Sequence, residues 1–403
     1  MLKTITTIAV GAVAAMLISG AAFAQDTIKI GYAISKSGPN AAGAAITTLP
    51  NYKLWIHDIN AAGGLKLGDK RVPVEVVEYD DQSSNEELIK DVERLVNVDK
   101  VDILLSPWGT GMNLAVGPTF AKYGYPHMAA TAATDHAYEM AQRWPNSFWM
   151  LGTSTMGANA LVEVLTKLQK AGKINNKIAM VSVADAFGIE LSTASRPAFK
   201  KAGFDLVMDQ SYPITTEDFG QLINQAKSSG ADSFVAFSYP PDTFGLSGTA
   251  VATGYNPPVF YTAVGTAFSI YRDAILHDNV DGVLGIGGVN TDDPKYKDYA
   301  KRHMDVTGQA PDYWASPITY ASLEILQQAI ERVGKIDRPA IIKEIQTGSF
   351  DTVAGTIKFD KNVNTHVWWA GQWQNGEFHG LAPSTMEGAV EPVAPKPAWK
   401  AAK

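Results

Sequence analysis

TIKIGYAISKSGPNAAG, residues 27–43, holds the unit from which the rest of the chain is built. Residues 27–33 form a short apolar strand pattern, and an alanine-rich run opens a helix after the turn. Between them, SKSGPN must reverse the chain, because Pro39 fixes φ and Gly38 relieves the backbone. Strand, turn and helix in that order make an open α/β sheet. In such sheets ligands lie beyond the carboxyl ends of the strands, where these turns are. The turn alone leaves open whether it cradles a phosphate, holds a carboxylate or only turns.

The unit recurs down the chain. VPVEVVEYDD (72–81) reads as a strand with charges showing through. NEELIKDVERLVN (85–97) reads as a helix whose Leu88, Val92, Leu95 and Val96 follow a 3.6 period. VDILLS (101–106), a helix near 112–124 and PHMAAT (126–131) continue the alternation and predict a lobe with a largely parallel sheet. After SFWMLGTSTM (147–156) it restarts with KIAMVSV (177–183), DSFVAFS (232–238) and PPVFYTAVG (257–265), interleaved with helical patterns. A second α/β lobe follows, and the helical segment 313–334 is expected to return to the first.

The expected division is lobe 1 from 25–150 plus about 288–355, lobe 2 from about 151–287 plus 356–390, and a tail over 391–403. The tail reading rests on the Pro/Ala/Lys-rich EPVAPKPAWKAAK. A chain that crosses more than once between lobes makes a hinged clamp.

Residues 1–24 read as a secretory signal peptide, with Lys3, an apolar stretch from Ile5 to Ile18 and a small-x-small end at Ala22-Phe23-Ala24. Cleavage is expected before Gln25, and no cysteine follows to carry a lipid. The periplasm is the expected compartment. The 403 residues contain no cysteine, so an exported form relies on packing alone. A net charge of −7 without a long Lys/Arg run makes nucleic acid and anionic membrane poor partners.

Catalytic patterns are missing. The seven histidines include no HExxH pair at ligand spacing, and no GxSxG elbow occurs. Asp80 and Asp81 are adjacent, which suits capping of the next helix better than a carboxylate pair or a metal. WGTGMNL (108–114) begins like a dinucleotide loop but has Leu114 where a third glycine belongs. GIGGVN (285–290) leads into a turn rather than a helix. No catalytic residue, metal or cofactor is expected.

The turns at 35–39, 106–111, 130–135, 184–188, 238–242 and 263–268 are the ones a ligand would meet. In WGTG, Trp108 offers an apolar wall and Thr110 a hydroxyl at a helix N-terminus, where N–H groups attract anions. Thr110 as an ordinary N-cap and Trp108 as core remain the competing reading. MAATAATD (128–135) repeats the arrangement with Thr131 and Thr134.

SKSGPNAAG, DINAAGG, YDDQSSN, PWGTGMNLAVGP, AATAATD, DAFG and PDYWASPITYASLEILQQAIE together resemble the leucine/isoleucine/valine-binding proteins of branched-chain amino acid type ABC importers. The likeness runs over nearly the whole chain after the leader. It implies a type I periplasmic binding protein fold, an α/β clamp that is not an enzyme. It also implies a small-molecule solute, a permease and ATPase as partners, and a monomer. The family's carboxylate-binding groups fall on Gly109, Thr110, Ala132, Ala133 and Thr134, and its second-lobe contacts on Phe187 and Tyr239. Ser37, in the first cleft turn, becomes a possible contact.

One position departs from the family. An acid that pairs with a ligand ammonium is usual after the strand PPVFYTAVG, and Val264 stands there. A buried ammonium without a partner is costly. An apolar or aromatic carboxylate or amide therefore fits the aromatic residues Trp108, Phe187, Tyr239, Tyr261, Phe268 and Trp314 better than an α-amino acid. Branched-chain amino acid uptake proper, with Asp185 or Asp242 as the acid, and a ligand-sensing receptor module are the other readings.

Overall fold

The computed structural model describes residues 27–400, and the leader reading over 1–24 lies outside them. Strand Ile28–Ile34 runs between two parallel neighbours, Val74–Asp80 and Ile103–Leu104. The central strand is buried along nearly its whole length, whereas Val74–Asp80 at the edge leaves Glu75 and Val76 in solvent. Charges show through VEVVEYD because an edge strand is covered on fewer sides. Helix Asn85–Asn97 buries Leu88, Val92 and Leu95 against this sheet.

Neither Asp80 nor Asp81 caps that helix, contrary to the sequence expectation. The Ser84 hydroxyl accepts the N–H of Glu87 and takes that role. Asp80 instead accepts the N–H groups of Lys36 (2.9 Å) and Ser37 (3.3 Å) and the Ser37 hydroxyl (2.8 Å). Asp81 accepts the Ser35 hydroxyl at 2.6 Å. The two aspartates thus tie the SKS turn to the end of the neighbouring strand. Gly38 has φ +78°, and an added Cβ would lie 2.7 Å from the Ser83 oxygen, so this turn needs its glycine.

The second body is built on a seven-stranded sheet in the order Glu377–Ala382, Ala370–Gln374, Leu284–Gly285, Val259–Thr262, Ser233–Phe237, Lys177–Val183, Asp205–Tyr212. The five strands between 177 and 285 are parallel, and the last two in the chain join antiparallel. The hairpin turn Asn375-Gly376 has φ of +53° and +80°, the Asn-Gly signal of a two-residue turn. Ser233–Phe237 and Val259–Thr262, in mid-sheet, are buried throughout.

The chain passes between the bodies at 150–153, 286–293 and 358–369. The first and third crossings are hydrogen-bonded: Trp149 N–H donates to the Asn362 carbonyl (2.9 Å) and Asn364 N–H to the Trp149 carbonyl (3.0 Å). Gly288, in the second crossing, donates to the Tyr313 carbonyl, and Tyr313 N–H donates to Ala267, both at 3.1 Å. Helix Ala315–Val333 then packs on helix Leu49–Ala61, in the first body.

Residues 391–400, which composition suggests as a tail, are packed on the second sheet. Lys396 N–H donates to the Pro258 carbonyl (2.9 Å), and the Trp399 indole N–H donates to Tyr255 (2.6 Å). The Trp399 ring meets Phe260 edge-on at 5.6 Å. Burial pushes the Lys396 ammonium down to about 7. Trp399 and Ala394 supply apolar contacts that the Pro/Lys composition hides.

Asp312 is fully buried and accepts the N–H groups of Ala315 (3.1 Å) and Ser316, fixing the start of the late helix. Burial pushes its carboxyl up to about 6 from 3.8, against those hydrogen bonds. A carboxyl raised in this way takes up a proton on folding. Its contribution to stability is therefore largest below the ordinary value and declines as pH rises through 6. Relative to Asp312→Asn, the wild type should lose up to roughly 3 kcal/mol between pH 4 and pH 7. Denaturant titrations across that range measure the difference, and a pH-independent one contradicts the assignment.

Candidate functional site

The turns at 106–111, 130–135, 184–188, 238–242 and 263–268 converge on one small cavity of about 20 Å³. Trp108, Gly109, Thr110 and Thr131 line it from the first body, and Phe187, Tyr239 and Val264 from the second. Leu151, Trp314 and Ala315, at or beside the crossings, complete the wall.

Trp108 has a prepared seat. Its indole N–H donates to the Thr47 hydroxyl at 2.9 Å. An added Cβ on Gly43 would lie 2.1 Å from Trp108 Cζ2, so the glycine that closes the 27–43 stretch makes room for the ring. Gly109, at φ +93°, is the N-cap of helix Thr110–Tyr123 and offers no side chain to its first turn. That helix start is consequently a site of positive potential at the cavity wall. Gly109 N–H donates to the Thr131 hydroxyl (2.9 Å), and Ala133 N–H donates to the Thr110 hydroxyl oxygen (3.2 Å). Thr110 is thus the first helical residue rather than the cap, and its own O–H proton is left to donate.

Across the cavity, Phe187 and Tyr239 stack at 5.2 Å, and Tyr239 meets Trp108 at 5.3 Å. The two bodies are in aromatic contact here. Tyr239 donates its hydroxyl to Asp185 Oδ2 at 2.6 Å, while Asp185 caps helix Ala186–Lys201 through Gly188 N–H at 3.0 Å. Burial raises the Asp185 carboxyl. Asp242 accepts Tyr239 N–H and the Tyr212 hydroxyl, each at 3.2 Å, and burial pushes its carboxyl up to about 6. Burial and then Asp185 hold the Tyr239 phenol well above its usual range. Two acids therefore stand behind Tyr239, while the cavity wall itself carries no charged side chain.

The remaining expected residues lie elsewhere. Ala132 and Ala133 are buried beside the site without lining it. Thr134 donates its hydroxyl to Glu190 Oε1 at 2.6 Å, and Asp135 N–H donates to the other Glu190 oxygen at 3.1 Å. Since Glu190 belongs to helix Ala186–Lys201, this segment latches one body to the other. Ser37 spends its hydroxyl on Asp80, away from the cavity. Tyr261 and Phe268 are core residues. Glu190 lies three residues after Phe187 and so shares its helix face, a spacing visible in the sequence. Leu151 and Ala315 carry no sequence signal, because only the crossings bring them here.

The periplasmic binding protein family profile matches residues 27–377. The chain belongs to this family. It is a periplasmic solute-binding protein of the ABC importer type, and such proteins bind without catalysing. This binding protein is 27% identical to Leu/Ile/Val-binding protein homolog 7 of Brucella suis biovar 1, over 92% of this chain and 94% of that one. Its fold matches the branched-chain amino acid transporter substrate binding protein of Streptococcus pneumoniae, crystallised with isoleucine (TM-score 0.75, 20% identity, 92% and 100% of the chains). It also matches a solute binding protein of Rhodopseudomonas palustris BisB5 in complex with 3,4-dihydroxy benzoic acid (TM-score 0.76, 17% identity, 91% and 99%). No helix among the described residues of the binding protein is long and apolar enough to cross a membrane.

Because Gly43 leaves the space that Trp108 fills, Gly43→Ala should destabilise the binding protein by about 1–3 kcal/mol, as overpacking does. Denaturant unfolding measures the loss, and a neutral substitution contradicts the proposed seat.

Proposed function

We propose that the protein receives a small apolar or aromatic carboxylate or amide in this cavity and delivers it to a membrane permease and its ATPase. It acts as a monomeric clamp, with one lobe formed by 27–150 plus about 288–355 and the other by about 151–287 plus 356–390, on which 391–400 pack. Trp108, Gly109, Thr110, Phe187, Tyr239 and Val264 contact the solute in this reading. Ala132, Ala133 and Thr134 position Thr110 and hold the lobes together, and Ser37 has no part.

The wall without a charged side chain carries this reading. An ammonium enclosed there would lack a counter-charge, whereas a carboxylate can be held by hydroxyls, backbone N–H groups and the helix start at Thr110. The fold relative with a bound dihydroxybenzoic acid supports the idea that this scaffold admits an aromatic acid.

Branched-chain amino acid uptake is the second reading, and on the relatives' names it is the better supported, since the curated relatives are named as Leu/Ile/Val-binding homologs. Asp185, one hydrogen bond behind Tyr239, is the acid it needs.

A melting-shift screen with benzoate, 4-hydroxybenzoate, phenylacetate, isovalerate, benzamide, leucine, isoleucine and valine separates the two. The acids or the amide should raise the melting temperature and the amino acids should not. The reverse pattern transfers the assignment to the second reading.

With the solute so found, Thr110→Val should weaken binding by roughly 1.5–3 kcal/mol if the contact is charge-assisted, beyond the stability lost by leaving the Ala133 N–H without its acceptor. Thr134→Val should slow closure and raise the dissociation constant without touching the solute. Calorimetry on both variants, with melts of the empty proteins, checks this. Destabilised empty protein with unchanged affinity contradicts the site.

A further inference from the structure

A second cavity of about 100 Å³ has Val289, Asn290, Tyr296, Ile318 and Trp368 in its wall. Among the described residues, Trp314 is the one that lines both. We propose that the Trp314 side chain is a partition between the two cavities and sets the length of solute that the cleft accepts. This rests on the reading that the cleft holds a small solute, but not on which class of solute it is.

The backbone at this point is hydrogen-bonded on both sides. Tyr313 is hydrogen-bonded through its N–H to Ala267 and through its carbonyl to Gly288, both at 3.1 Å. On the other side, the Asp312 carboxylate holds the N–H groups of Ala315 and Ser316. The ring is held differently. Trp314 is 3% exposed, yet its indole N–H has no partner in the protein. Buried tryptophans usually find one, so this ring is kept in place by packing alone.

That packing is specific. Gly287 has φ +110°, and an added Cβ would lie 2.4 Å from Trp314 Cβ, so the crossing approaches the side chain as only glycine allows. The Trp369 ring lies 5.5 Å away on another flank. Removing the indole from between two existing spaces leaves a single longer one, because the backbone beside it is held by hydrogen bonds on both sides. The far space has apolar walls from Tyr296, Ile318 and Trp368, with Asp293 and Glu387 also in its lining. A solute tail entering it should be apolar and not anionic.

Two homologous series test the partition in the full-length mature protein: benzoate, 3-phenylpropionate and 5-phenylvalerate, and valine, leucine and homophenylalanine. Whichever series binds, the wild type should favour its shorter members. Trp314→Ala should raise the long-to-short affinity ratio at least tenfold, and Trp314→Phe about threefold. The series that binds tests the solute class, whereas the order within it tests the partition. An unchanged order in a folded Trp314→Ala or Trp314→Phe protein overturns the proposal. A crystal structure of either variant gives a readout independent of binding. One continuous cavity, or a cleft lengthened toward the second space, supports the partition, and a wall rebuilt by neighbouring side chains overturns it.

Discussion

Hydrogen bonds between chain crossings govern the architecture. Trp149 with Asn362 and Asn364, and Gly288 with Tyr313, hold separate passages of the chain side by side. Two sheets joined by a single strand could adopt many relative positions; here three passages of the chain join them, the first and third bonded to each other. The same passages supply part of the cavity wall through Leu151, with Trp314 and Ala315 beside it. The crossings and the cavity are thus built from neighbouring residues.

Electrostatics divide the site into a neutral surface and a charged support. Asp185 and Asp242 do not reach the cavity; they hold Tyr239 by its hydroxyl and its backbone N–H. Keeping the acids one residue back gives the aromatic wall a fixed orientation without placing a negative charge in the cavity wall. Burial raises both carboxyls, so their hydrogen bonds with Tyr239 are made at a desolvation cost that a purely decorative contact would not justify.

Much of this was legible in the residues. Strand and helix patterns such as KIAMVSV and NEELIKDVERLVN depend on local periodicity, which survives in any context. Trp108, Gly109, Thr110, Phe187, Tyr239 and Val264 all lie at strand ends, and topology sends strand ends to one place. What could not be read depends on partners distant in the chain. The Asp80–Asp81 pair looks like a helix cap until the SKS turn is seen beside it. Thr134 resembles a solute contact until Glu190 arrives from the other body. The 391–400 segment has the composition of a loose end, and only the surface offered by Phe260 and Tyr255 gives Trp399 somewhere to pack. Gly43 carries the same lesson on a smaller scale, since a glycine in an alanine-rich helix has no evident purpose until the indole it accommodates is known.

The packing of Trp399 and Lys396 has a practical meaning for measurement. Residue 28 begins a strand of the first sheet, while residue 400 follows a segment fastened to the second. The two ends of the described chain therefore ride on different bodies, and neither borders the cavity. A pair of fluorescent labels at these ends would report the angle between the bodies as a change in energy transfer, without a reporter intruding on the solute.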